Sequence, residues 1–178
     1  MVYVFLATGF EETEAVAPID ILRRGGVSVK TVGVADVLVS GSHSITFKTD
    51  LLLSDLVLDD ELEGVFLPGG MPGTLNLELS AGVTEAVKFA AAQGKLVSAI
   101  CAAPSVVGKL GLLDGRKATC HPGFEQHLLG AEYLDVPTVT DGNFVTGRGP
   151  GSAQQFGLAV LAYLKGEEAA NTVRDQLK

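Results

Sequence analysis

The chain has 178 residues, 47% apolar and only 19% charged, with 13 basic against 21 acidic side chains and a net charge of −8. That balance excludes a disordered chain, and the negative charge would repel nucleic acid and anionic membrane surfaces, so neither is expected as a partner. No apolar run approaches the roughly 20 residues of a membrane span, the acidic start lacks the basic segment of a signal peptide, and Cys101 and Cys120 match neither CxxC nor zinc spacing; one domain over 1–178 in the reducing cytoplasm is expected.

Val2 to Ala7 is short, continuous, apolar and partly β-branched, which predicts a buried strand. Glu12 to Arg24 reads as a helix with Ala15, Ile19 and Leu22 on one side, Arg23-Arg24 near its carbonyl end and Gly25-Gly26 as a stop. Pro18 lies within it, predicting a kink or a late start. Val27 to Val34 follows as a strand. Asp36 to Asp55 alternates in short pieces around Gly41-Ser42, the pattern of a hairpin or excursion. The rhythm then resumes with a strand at Gly64 to Leu67, a Pro68-Gly69-Gly70 loop, a helix over Ala81 to Ala92 capped by Gly94, a strand at Lys95 to Ile100 and a helix from Ala102 to Leu110. Lys117 to Cys120 and Asn143 to Thr146 read as short strands, and Gln154 to Leu164 as an apolar terminal helix. Alternating strands and helices imply an α/β fold, a mostly parallel sheet covered on both faces.

In such sheets ligands sit beyond the carboxyl ends of the strands. Three junctions carry chemistry there: Gly9-Phe10-Glu11-Glu12-Thr13-Glu14, Pro68-Gly69-Gly70 and Cys101-Ala102-Ala103-Pro104. Cys101 follows a strand and precedes small residues that open a helix, the setting of a nucleophile elbow, where a helix N-terminus would lower the thiol pKa. Taken alone, a free cysteine is more often an inert buried residue, and a lone Pro-Gly-Gly is more often only a tight turn. Their junction positions favour the chemical reading: glycines let backbone N–H groups approach a reacting oxygen, and the Gly70 and Ala102 N–H groups would form a two-donor oxyanion site.

Glu11, Glu12 and Glu14 suit a helix start, yet a glutamate beside a thiol can also be held protonated and move protons. His121 could supply a second base or be a surface histidine; it does not share a strand face with Cys120, because neighbours point to opposite sides. His43 and His127 read as surface residues. Gly147-Arg148-Gly149-Pro150-Gly151 lacks both the GxGxxG spacing after a first strand and a P-loop lysine. It reads as a turn into the last helix, with Arg148 free for a carboxylate or a partner subunit.

With these residues in hand, the chain resembles the ThiJ/PfpI superfamily, in the branch of the parkinsonism-associated deglycase. The motifs are GFEETEA at Gly9–Ala15, IDILRRGG at Ile19–Gly26, FLPGGMPG at Phe66–Gly73, SAICAAP at Ser98–Pro104, TCHP at Thr119–Pro122 and GRGPGS at Gly147–Ser152. The resemblance implies a flavodoxin-like three-layer sandwich, related to class I glutamine amidotransferases, and a homodimer. It implies catalytic Cys101, Glu14 and His121, with Gly69, Gly70 and Ala102 around substrate.

It further implies a glyoxalase of methylglyoxal or a deglycase of early glycation adducts, with no metal or organic cofactor, or alternatively a peroxide sensor or chaperone acting through Cys101 oxidation. Cys101 is followed by Ala102 where protease-like relatives carry histidine, and no His-x-Glu follows Cys101. Peptidase and glutaminase activities are therefore not expected.

Overall fold

A computed structural model describes all 178 residues. In chain order the elements are β1 (Val2–Leu6), α1 (Glu12–Arg24), β2 (Val29–Gly33), β3 (Leu38–Ser40), β4 (Thr46–Lys48), β5 (Leu51–Leu52), β6 (Gly64–Leu67), α2 (Gly73–Leu79) and α3 (Ala81–Ala92). These are followed by β7 (Leu96–Ile100), α4 (Pro104–Lys109), β8 (Lys117–Ala118), β9 (Glu132–Tyr133), β10 (Thr138–Asp141), β11 (Phe144–Gly147), α5 (Ala153–Lys165) and α6 (Glu167–Gln176). The main sheet has seven strands in the order β10-β11-β7-β6-β1-β2-β5. All neighbours are parallel except β10 and β11, which close one edge as an antiparallel pair. This is the α/β fold that the alternating pattern predicts.

The central strands explain the apolar composition. Every residue of β6 and of β7 is buried, as expected where helices cover both faces of a parallel sheet. On one face Val4, Leu6, Phe66 and Ile100 pack with Ile21 and Leu22 of α1 and with Phe156 and Leu161 of α5. On the other, Phe5, Val65, Leu67 and Val97 pack with Leu77 of α2, Val83 and Val87 of α3 and Val106 of α4. Phe66 and Phe156 rings lie 5.2 Å apart between sheet and α5, and truncating such a buried ring costs about 3–5 kcal/mol.

Several expectations need adjusting. α1 begins at Glu12 and runs unbroken through Pro18, so the late start is not adopted; Glu11 caps it by accepting the Glu14 N–H at 2.7 Å. The missing N–H of Pro18 leaves the Glu14 carbonyl without its helical donor. The 36–55 excursion is the hairpin β3–β4, after which β5 pairs with the edge of β2. α4 starts at Pro104 rather than Ala102 and has six residues, because Cys101 to Ala103 are spent on a turn.

Because β1, β6 and β7 are adjacent and parallel, the segments that follow them emerge at one edge of the sheet. The loop 9–14, the loop 68–70 and Cys101 therefore meet there.

Candidate functional site

Cys101 sits directly after β7 with φ of 65°, in the left-handed region that non-glycine residues seldom enter. Such a conformation costs about 1–3 kcal/mol and persists only where its surroundings enforce it. Two hydrogen bonds do so: the Cys101 N–H donates to the Gly147 carbonyl at 2.9 Å, and the His121 N–H donates to the Cys101 carbonyl at 2.8 Å. The backbone is thus turned sharply, and the half-buried side chain stands at the strand end. This is the elbow that the strand–turn–helix pattern predicts.

Glu14 lies on the first turn of α1 and is fully buried, with 0% exposure. One of its oxygens, Oε2, accepts the Gly69 N–H at 3.0 Å, while Oε1 has no hydrogen-bond partner. Gly69 occupies the gap between the Glu14 carboxyl and the Cys101 side chain: a Cβ placed on it would lie 2.6 Å from the Cys101 Cβ and 2.6 Å from Glu14 Oε2. Gly70 has φ of 93°, and a Cβ there would reach the Glu11 backbone nitrogen at 2.3 Å, so this turn also requires glycine. The Gly70 and Ala102 N–H groups both favour negative charge on the Cys101 sulfur. The geometry therefore brings Cys101, Glu14, Gly69, Gly70 and Ala102 into one small volume.

The electrostatics of the pair differ from what a helix N-terminus alone suggests. Burial raises the Glu14 carboxyl to about 7; the Glu11 charge adds to this, while Cys101 and the Gly69 N–H oppose it. Burial also pushes the Cys101 thiol up, reinforced by the Glu14 charge, with the Ala102 and Gly70 N–H groups pulling the other way. This corrects the expectation of a depressed thiol pKa. α4 is short and begins three residues after Cys101, so its dipole is weak at the sulfur, and desolvation beside a carboxylate wins.

Two anions do not coexist in this space, so the pair carries one negative charge above about pH 7, and a thiolate forms together with a protonated Glu14. Iodoacetamide alkylation of Cys101 is accordingly expected to rise in a step centred near pH 7. The Glu14→Gln variant should lack that step. Cys120 is fully buried, with its thiol pushed up to about 12 by burial and then by Glu125, and should stay slow throughout.

His121 approaches Cys101 through its backbone. Its ring is exposed, with Nδ1 at 3.0 Å from the Pro122 carbonyl, and no hydrogen bond joins ring and thiol. Cys120 and His121 do part company, one buried and one exposed.

Sequence reasoning missed a role for Glu12 and His43. Glu12 Oε1 accepts the His43 N–H at 2.7 Å and Oε2 lies 2.9 Å from His43 Nδ1, so α1 grips the turn of the β3–β4 hairpin. Burial opposes the Glu12 charge, but the His43 ring and the His43 and Ile45 N–H groups outweigh it and hold the carboxyl at about 2. No spacing signal links residues 31 apart. Glu11, Glu12 and His43 also place donor atoms within 4.8 Å of one another; Glu11 Oε2 and both Glu12 oxygens already accept hydrogen bonds.

The DJ-1/PfpI family pattern matches residues 1–163. The chain is 35% identical to the zebrafish Parkinson disease protein 7 homolog over 178 residues, covering 98% of this chain and 94% of that protein. It is 39% identical to Protein DJ-1 homolog B of Arabidopsis thaliana, covering 99% of this chain but 41% of that longer protein. A deglycase of Pyrococcus abyssi is 31% identical over 84% of this chain and 90% of its own. The crystal structure of Drosophila melanogaster DJ-1beta superposes with a TM-score of 0.93 at 35% identity, covering 99% of this chain and 96% of that one. Fold, motif order and these likenesses agree: the chain belongs to the DJ-1/PfpI family.

Proposed function

We propose that the protein is a cysteine-dependent enzyme of small 2-oxoaldehydes, converting methylglyoxal to lactate or removing such aldehydes from early glycation adducts. The observation that carries this reading is the buried Cys101–Glu14 pair, separated by a glycine and faced by two N–H donors. Cys101 passes its proton to Glu14, and the sulfur bonds to the aldehyde carbon while the carbonyl electron pair moves onto oxygen. The Gly70 and Ala102 N–H groups stabilise that oxyanion until Glu14 protonates it. Glu14, again a carboxylate, takes the hydrogen of the former aldehyde carbon as a proton to give an enediol, and returns it to the neighbouring carbon, while the hydroxyl proton passes from the first oxygen to the second. The first carbon is thereby oxidised to a thioester and the second reduced to an alcohol. Water, with His121 as base, cleaves the thioester, releasing the hydroxy acid and the thiol.

A carboxyl near 7 suits both directions of proton transfer. No cofactor enters these steps, and two free thiols suit the cytoplasm. A homodimer, which the family resemblance implies, is supported by α1, where Val16 is 40% exposed beside a cavity of about 320 Å³ lined by Phe10, Ile19 and Phe47.

A second reading, oxidation of Cys101 to sulfenic and then sulfinic acid by peroxide, is favoured by the orphaned Glu14 Oε1, which when protonated would donate to a sulfinate oxygen. Lactate production from methylglyoxal by metal-free protein decides between the two. Cys101→Ser is expected to abolish turnover while leaving the fold intact. Retained turnover would remove Cys101 as nucleophile, and absent wild-type turnover with peroxide-dependent mass gain at Cys101 would favour the sensor.

A further inference from the structure

A groove of about 290 Å³ lies beside the elbow, lined by His121, Arg148, Gly149, Gly151, Ser152 and Gln155 together with three prolines, with no aliphatic or aromatic residue other than proline in its wall. Both walls are tied to Cys101: His121 donates its N–H to the Cys101 carbonyl, and Gly147, next to Arg148, accepts the Cys101 N–H. In a chain of net charge −8 with 21 acidic residues, no carboxylate lines this groove.

Arg148 is fixed at its backbone, where its N–H donates to the Pro137 carbonyl at 3.0 Å. One guanidinium nitrogen, Nη1, reaches Asp135 at 2.8 Å; that pair is 43% and 68% exposed, a surface contact of little net strength that leaves the other N–H groups of the fork free. The Gln155 side chain makes no hydrogen bond and is exposed. The Pro122 carbonyl can only accept, so His121 Nδ1 donates in that contact and is not available to an anion. The unengaged donors of the groove are those of Arg148 and Gln155, and an anion is held at that end.

We propose that this groove is a specificity subsite for the carboxylate of an anionic 2-oxoaldehyde, with Arg148 as its principal donor, so that charged aldehydes are preferred to neutral methylglyoxal. The inference deepens the aldehyde reading and rests on it for substrate class, but binding of a carboxylate beside Cys101 can be read without turnover. Iodoacetate and iodoacetamide differ in that one group. The ratio of their alkylation rates at Cys101, divided by the same ratio for glutathione, is expected to be about tenfold above one in the wild type. Arg148→Gln should bring it to about one, and Arg148→Lys, which keeps the charge, should retain the larger part.

In turnover, the kcat/KM ratio of 4,5-dioxopentanoate to methylglyoxal should fall about tenfold in Arg148→Gln, through KM rather than kcat. A wild-type alkylation ratio equal to that of glutathione, or one unmoved by Arg148→Gln, overturns the subsite. Failure of both aldehydes to react while the alkylation preference stands overturns the enzyme reading and leaves the subsite in place.

Discussion

Replacing Glu14 with glutamine is expected to slow turnover by roughly 10²–10⁴-fold and, at the same time, to stabilise the protein. In the proposed reaction the loss follows from removing the group that takes and returns the proton. The gain follows from the cost of the carboxylate's burial, which raises its pKa from 4.5 to about 7. A carboxyl whose folded pKa lies above its unfolded value binds its proton more tightly in the folded state. Its favourable contribution is complete below about 4.5, declines as pH rises, and is gone above about 7.

Over that interval the wild type forfeits about 3 kcal/mol, which the uncharged glutamine does not. Thermal midpoints of the two proteins should therefore coincide near pH 4 and diverge by roughly 6–12 °C at pH 8. A wild-type midpoint at or above that of the variant at pH 8 would show that the buried carboxylate is not a burden, and would remove the basis for a proton carrier poised near 7.

Gly69→Ala should also inactivate, with the opposite effect on stability. The added methyl would lie 2.6 Å from the Cys101 Cβ, 2.6 Å from Glu14 Oε2 and 2.9 Å from the Ile100 carbonyl. The last of these belongs to the backbone of a fully buried strand and cannot swing aside. Forcing such a contact typically costs about 1–3 kcal/mol, and displacing reacting groups by ~1 Å costs on the order of 10²-fold in rate. Denaturant midpoints and kcat/KM should fall together. Because Glu14→Gln separates the two quantities and Gly69→Ala couples them, the pair of variants tells a chemical role for the carboxylate from a merely structural one. Wild-type kcat/KM in Gly69→Ala would mean that the gap between acid and thiol is not needed for reaction.

The central architecture was legible because burial on both faces writes itself into the sequence. β6 is a continuous apolar run and β7 is apolar but for Ser98, whose hydroxyl donates to the Val65 carbonyl; both are bounded by turn residues, and α1 and α3 carry their caps. The missed elements lie at edges, where that signal fades. β10 is an edge strand with alternating polar residues, Thr-Val-Thr-Asp, although Gly142 and Asn143 between it and β11 form the kind of two-residue turn that marks a hairpin. α6 buries only Ala170 and Val173 and so lacks an apolar stripe. α2 is only seven residues and opens on the glycine of a Pro-Gly pair, Pro72-Gly73, that reads as loop.

At the site, junction position alone points to Cys101 and the 68–70 loop, whereas Glu14 is set apart from Glu11 and Glu12 only by the family resemblance. The direction of the Cys101 shift could not be read from sequence, because it depends on where a helix residue far away in the chain presents its carboxylate. The partnership of Glu12 with His43 was likewise a matter of tertiary placement.

Two carboxylates on the same helical turn, Glu12 and Glu14, thus work in ranges that do not overlap. One is held near 2 by donors from the hairpin and the other is lifted to near 7 by the dry space beside sulfur. Across the pH values at which the Cys101–Glu14 pair changes its proton count, the Glu12 carboxylate stays charged and keeps accepting the His43 backbone N–H at 2.7 Å, a donor that does not titrate. The His43 ring does titrate, with its pKa raised above the usual 6.5 by Glu12, so the ring contact weakens only at higher pH while the backbone contact persists. Proton exchange beside sulfur and anchoring of the hairpin are thus separated by one position of one helix.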